Sequence, residues 1–269
     1  MNSSFSFKKN IVLLAKKFFK SMGIGFTSYN NLIRLKSLDS NSSIYDMEFL
    51  LSFSLDDAKN MLPLLKKSKS QLRQDLFVLS TLNFKKNGYF VEFGAANGIE
   101  LSNTFLLETE YAWKGIVAEP ARHWLSKLQE NRPGSQIENL CVWKDTGSML
   151  LFNETKIPEI STLDSFSSSD SHKSSRALGT KYMVKTISLT DLLIKFNSPK
   201  EIDYLSIDTE GSEFEILSTF DFSKYTFKVI TCEHNFTSAR EKIYDLLSKN
   251  GYERKFEAIS NFDDWYVKI

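Results

Sequence analysis

The sequence predicts a doubly wound α/β domain, a mostly parallel sheet with helices on both faces, preceded by a helical extension. Three observations predict it. From Gly88 onward, short β-rich runs alternate with stretches of helical length and spacing. Acids and very small residues gather at the points where those runs end, the edge at which open α/β sheets bind ligands. The 269 residues, 42% hydrophobic and 25% charged, are of ordinary globular composition and long enough to bury one large core. A formal charge of +1 gives no global field to draw nucleic acid, so no nucleic-acid partner is expected.

In chain order, the first segment is basic: Lys8, Lys9, Lys16, Lys17, Lys20, Arg34 and Lys36 precede the first acid, Asp39. Phe7, Ile11, Leu14, Ala15, Phe18, Phe19 and Met22 recur at helical spacing, which predicts an amphipathic helix. Such a helix either associates peripherally with a membrane surface or packs on the chain's own body. Helical spacing continues over 39–80, and residues 1–70 are read as an accessory helical region, 71–269 as the main domain. Strands are predicted at 89–93, 115–118, 136–142, 149–152, 202–207, 227–232 and 265–269. Helices are predicted at 101–110, 121–130, 190–196, 213–219 and 238–249.

Residues 161–175 hold eight serines and little apolar content. That composition suits either a disordered surface loop or a mobile lid. Cys141 and Cys232 lack C-x-x-C spacing and sit among apolar residues, so both are expected to be reduced and buried. No apolar run is long enough for a membrane span, which makes the expected location cytoplasmic, at the inner face of the membrane where the basic helix docks.

Two stretches carry chemistry. In the first, Tyr89-Phe90-Val91-Glu92-Phe93 leads into Gly94-Ala95-Ala96-Asn97-Gly98, a turn whose small side chains let a ligand approach the backbone. The spacing fails G-x-G-x-x-G, which weakens a dinucleotide reading. Glu92 is a poor neighbour for pyrophosphate and a good one for a cationic ligand such as a sulfonium amino acid. One strand later, Gly115-Ile116-Val117-Ala118-Glu119-Pro120 places an acid where it can accept both hydroxyls of a ribose.

In the second, Ile202-Asp203-Tyr204-Leu205-Ser206-Ile207-Asp208 is followed by Thr209, Glu210, Gly211, Ser212 and Glu213, and the next strand delivers Glu233-His234-Asn235 to the same edge. Helix capping accounts for Glu213 but not for Asp208. His234, or a carboxylate such as Asp208 or Glu210, would take a hydroxyl proton as general base. Asp208, Glu233 and His234 would alternatively bind a divalent cation. His123 and His172 read as surface residues. There is no G-x-S-x-G elbow and no P-loop, against a hydrolase or an NTPase.

Together with Ser70-Gln71-Leu72-Arg73-Gln74-Asp75, Ser102-Asn103-Thr104, Leu107-Glu108 and Trp113-Lys114-Gly115, these segments resemble the FkbM family of S-adenosylmethionine (SAM)-dependent O-methyltransferases. The resemblance implies a Rossmann-like class I methyltransferase: a seven-stranded sheet with helices on both faces and its last strand antiparallel. It implies that Gly94, Ala95, Ala96, Asn97 and Gly98 hold the methionine part of SAM, with Glu92, Ser102 and Asn103 in the same cofactor set. Glu119 would take the ribose, with Pro120 in the same cofactor set, and backbone near Cys141 and Val142 would flank the adenine. The expected acceptor is a sugar hydroxyl in a bacterial surface glycan or its nucleotide-linked precursor. Two other readings stay open: an NAD(P)-dependent sugar-modifying enzyme, and a non-catalytic glycan-binding scaffold.

Overall fold

The computed structural model describes residues 43–269, of which Asp46–Ile269 form one compact unit. The basic amphipathic helix read over residues 7–22 lies outside the described residues. The described chain opens with α1 (Ser43–Leu51), α2 (Leu55–Met61) and α3 (Gln74–Thr81). The Ser54 side chain accepts the Asp57 N–H, and Asp56 and Asp57 sit in the first turn, so α2 is both capped and matched to its dipole. Phe49 of α1 is fully buried, edge-on to Trp265 at 6.2 Å, and Trp265 stacks on Phe77 of α3 at 4.8 Å. The expected boundary at residue 70 therefore falls inside a packed unit. Spacing shows which residues share a helix face, but not that a distant tryptophan covers it.

The α/β body follows: β1 (Tyr89–Phe93), α4 (Phe105–Tyr111), β2 (Lys114–Ala118), α5 (Leu125–Asn131), β3 (Gln136–Glu138), β4 (Cys141–Trp143) and β5 (Met149–Glu154). Then come β6 (Thr162–Leu163), α6 (Lys173–Arg176), β7 (Thr180–Ser188), α7 (Leu189–Lys195), β8 (Glu201–Ile207), α8 (Glu213–Ser218), β9 (Thr226–Glu233), α9 (Ala239–Lys249), β10 (Tyr252–Lys255) and β11 (Asp263–Lys268). Seven strands form the main sheet in the order β10-β11-β9-β8-β1-β2-β3. From β9 to β3 every pairing is parallel, while β11 runs antiparallel to both neighbours. The central strands are apolar runs buried almost throughout, as a sheet covered on both faces requires: Val91, Ile116, Leu205 and Ile230 are all fully buried.

The structure corrects the strand reading in three places. The run 136–142 is two strands, because the Glu138 carboxylate accepts the backbone N–H of Asn139 and of Leu140 and turns the chain between them. β4 then leaves for a second, four-stranded sheet of order β4-β7-β5-β6, which also takes the strand expected at 149–152. β7 and β10 were not expected, since Thr-Lys-Tyr-Met-Val-Lys-Thr-Ile-Ser and Tyr-Glu-Arg-Lys alternate without an apolar run, as edge and half-exposed strands do. The serine-rich segment is ordered: Thr162 and Leu163 pair with Asn153 and Phe152, and Arg176 buries its side chain. Both cysteines are free and buried. Among the described residues no helix is long and apolar enough to cross a membrane.

Candidate active site

The loop after β1 is held between its two neighbouring strands. Gly94 N donates to Ala118 O of β2 at 3.1 Å, and Asp208 N, just past β8, donates to Phe93 O at 3.3 Å. Gly94 has φ +75°, and a Cβ there would lie 1.7 Å from the Asp208 carbonyl oxygen, so no other residue fits. Gly98, at φ +80°, closes the turn by donating to Ala95 O at 2.7 Å. The Asn97 side-chain oxygen accepts the N–H groups of Ile99 and Glu100, both at 2.9 Å. Ala96 is also left-handed, at φ 45°, a strained position for a residue with a Cβ.

Beneath this loop, Glu92 is a structural hub. It accepts Asn103 N at 2.7 Å, Thr104 Oγ1 at 2.6 Å and the Ser102 hydroxyl, and Arg132 lies 3.5 Å away. Arg132 in turn donates from Nε to Glu108 at 2.6 Å and from Nη1 to Gly98 O at 3.1 Å. Glu92, Ser102 and Asn103, expected at the cofactor, are buried behind the loop and shape it; none lines the cleft. Sequence reasoning missed Arg132, because a single arginine at a helix end looks like any solvated one.

A cleft opens beyond the C-terminal ends of β1, β2 and β8. Gly94, Ala96, Glu119, Pro120, Cys141 and Val142 line it, as do Pro158 and Glu159 together with Ser161 and Leu163 from the start of the serine-rich segment. Glu119 accepts Ala96 N at 3.0 Å on one oxygen and Ala121 N at 2.8 Å on the other. Each oxygen keeps a second lone pair for a ligand donor. Burial pushes the Glu119 pKa up to about 7. Burial likewise pushes the Cys141 thiol up to about 12, so it is an inert wall residue.

The floor is acidic. Asp208, Glu210 and Glu233 each bring a carboxylate oxygen within 4.8 Å of the others. Glu210, at φ 59°, accepts Arg176 Nη2 at 2.7 Å and Asn235 Nδ2 at 3.1 Å. Glu213 accepts three donors, Thr209 N, Thr209 Oγ1 and Gly211 N. Burial and neighbouring carboxylates raise the pKa of Asp208 to about 7 and lift Glu210 and Glu233 well above the ordinary range.

His234 stands apart from this group. Its Nδ1 accepts the Phe236 N–H at 3.0 Å, and its Nε2 points toward Asp264 at 3.7 Å, a carboxylate already paired with Arg240 and Arg254. It neither lines the cleft nor joins the acid triad. The cation set expected from sequence, Asp208, Glu233 and His234, is thus corrected: the structure brings Glu210, not His234, to Asp208 and Glu233. The lone pair of His234 holds a turn, so the structure also takes it out of the base position. His123 is exposed and His172 half-buried.

The fold, the small-residue loop at the end of β1 and the acid at the end of β2 define a Rossmann-like class I, SAM-dependent methyltransferase. Residues 92–254, more than half of the chain, match the family described as the methyltransferase FkbM domain, and the chain belongs to that family. No curated protein matches it. Among solved structures it is similar to precorrin-6y C5,15-methyltransferase from Geobacter metallireducens, with 11% identity and TM-score 0.40 over 72% of this chain and 85% of that one. It is similar also to a TehB-like SAM-dependent methyltransferase from Corynebacterium glutamicum, with 8% identity and TM-score 0.37 over 80% and 97% of the chains. A third is the N-terminal domain of human METTL16 in complex with SAH, with 12% identity and TM-score 0.40 over 74% and 70%. The residues present fit SAM: acids for a cationic donor, apolar walls at Pro120 and Val142 for a base, and free lone pairs on Glu119 for ribose hydroxyls.

Proposed function

We infer that the chain transfers the methyl group of SAM to a hydroxyl of a neutral sugar in a surface glycan. One observation carries this reading: the cleft wall is rich in hydrogen-bond acceptors and, among the described residues, has no basic side chain. Beside Glu119, whose lone pairs suit the cofactor's ribose, Glu100, Glu159, Asp208 and Glu210 line it, and no lysine, arginine or histidine does. Such a surface is complementary to an acceptor that donates hydrogen bonds and repels one that carries phosphate. Between the two acceptors expected from the family resemblance, it favours the glycan over its nucleotide-linked precursor.

When bound, SAM supplies a methyl group made electrophilic by its positive sulfur. The chain's own task is to orient and deprotonate the acceptor. Asp208 lies on the cleft floor with its side chain hydrogen-bonded to Glu233, which places its carboxylate to accept a hydroxyl hydrogen and then the proton. Glu210 is held rigidly beside it by Arg176 and Asn235. With SAM bound, the cleft walls would orient the acceptor hydroxyl toward the methyl group, with Asp208 placed to take its proton.

The test uses the full chain, SAM carrying a ¹³C-methyl group, and a panel of neutral oligosaccharides, nucleotide sugars and amines. The expected result is a new methyl carbon resonance in the O–CH₃ region on neutral glycans. Label found only on nitrogen, or only on phosphate-bearing acceptors, would overturn the reading.

A further inference from the structure

Among the buried carboxylates around the cleft floor, most have their own donors. Glu210 has Arg176 and Asn235, Glu213 has Thr209 and Gly211, and Asp263 accepts Gln74 Nε2 at 2.9 Å. Asp208 and Glu233 do not. They meet at the ends of β8 and β9 in a side-chain hydrogen bond, which needs a proton held between two carboxylates where the other acids have N–H or O–H donors of their own. Glu233 is only 6% exposed, and its Oε2 has no hydrogen-bond partner at all. A buried carboxylate oxygen left unsatisfied is costly, and the single guanidinium nearby, Arg176, is already shared between Glu210 and Asp170.

We propose that Asp208, Glu210 and Glu233 bind one divalent cation of the oxygen-preferring class, for which Ca²⁺ has the fitting size and Mn²⁺ is the observable probe, at the floor of the cleft. The spacing suits one ion: two oxygens on one Ca²⁺ lie up to about 5 Å apart and on the smaller Mg²⁺ up to about 4.2 Å, so three oxygens within 4.8 Å of one another favour the larger member of the class. An all-carboxylate set selects a hard cation over zinc or copper. Asp208 also lines the cleft, so the ion has an open side toward the acceptor. This deepens the O-methyl reading and rests on it for its purpose: a bound cation lowers the pKa of a coordinated sugar hydroxyl and fixes its oxygen.

The probe is Mn²⁺ alone, titrated into the full chain and followed by the electron paramagnetic resonance signal of the free ion. One ion per chain is expected, with a dissociation constant below about 1 mM. Glu233→Gln and Asp208→Asn should each weaken it at least tenfold, while Glu253→Gln, an exposed acid on β10, leaves it unchanged. Where Glu233→Gln fails to fold, Glu233→Asp keeps the charge, shortens the reach and should give the same loss. No Mn²⁺ binding by folded wild type at several millimolar, or binding that survives both substitutions, would overturn the site. Methyl transfer at full rate by metal-stripped enzyme, with no Mn²⁺ bound, would leave the O-methyl function standing and remove the cation. Mn²⁺ bound at these residues, with transfer to no hydroxyl, would keep the site and remove the function.

Discussion

Gly94 carries the tightest steric constraint in the cleft, because a Cβ there would meet the Asp208 carbonyl at 1.7 Å on a backbone with φ +75°. Gly94→Ala is expected to destabilise the fold by at least about 2 kcal/mol and to weaken SAH binding at least tenfold, read by thermal denaturation and calorimetry. Glu119 gives a pH dependence whose sign follows from its raised pKa. With a folded value of about 7 against an ordinary 4.5, its contribution to stability is full below 4.5 and lost as pH rises through about 7. Over the same range the carboxylate ionises and gains acceptor capacity for ribose, so SAH affinity should rise from pH 6 to pH 8, and the rise should vanish in Glu119→Gln. His234 and Asp208 are separated by activity. His234→Gln should retain methyl transfer within about tenfold, whereas Asp208→Asn should lose a hundredfold or more, the usual scale for a positioned base. At this scale the sequence was legible where a residue type is rare for its place: a glycine in a tight turn, an acid at the end of an apolar strand. It was silent on which way a side chain faces. His234 sits one residue from Glu233, yet successive residues leave a strand on opposite sides, and the two end in different environments.

Among the elements, the second sheet and the segment 157–176 build a wall of the cleft, and Arg176 ties that wall to the floor. Its Nε donates to Ile160 O at 2.8 Å, and its guanidinium pairs with Asp170 at 2.9 Å and Glu210 at 2.7 Å, all with no exposed side-chain surface on the arginine. Arg176→Met would leave two buried carboxylates without their cation, at a cost of about 3–5 kcal/mol. Hydrogen exchange in 157–166 should quicken in that variant while β8 and β9 stay protected. The run of serines suggested a segment unable to bury itself, because serine contributes little apolar area. What orders it instead is a charged residue at its far end, which composition does not weight. The strands read correctly are the buried, mostly apolar β1, β2, β8 and β9, together with β5 and β11; β7 and β10 were missed because each is polar on one side or at an edge.

For the whole described molecule, the helices before β1 belong to the same cooperative unit as the sheet. Phe49→Ala should therefore cost about 3–5 kcal/mol and lower the midpoint of a single denaturation transition, without creating a separate early one. The alternation of strand and helix gave the layered architecture, and the FkbM resemblance gave the strand count and the antiparallel last strand. The departure of β4 into a second sheet follows a turn at which the Glu138 carboxylate accepts two backbone N–H groups, a side-chain event invisible to periodicity. The most direct test of the central claim is a calorimetric titration of the full chain with SAH, set against NAD. The account predicts saturable binding of one SAH per chain, weakened by Glu119→Ala, and no binding of NAD. Saturable binding of NAD with none of SAH would contradict it.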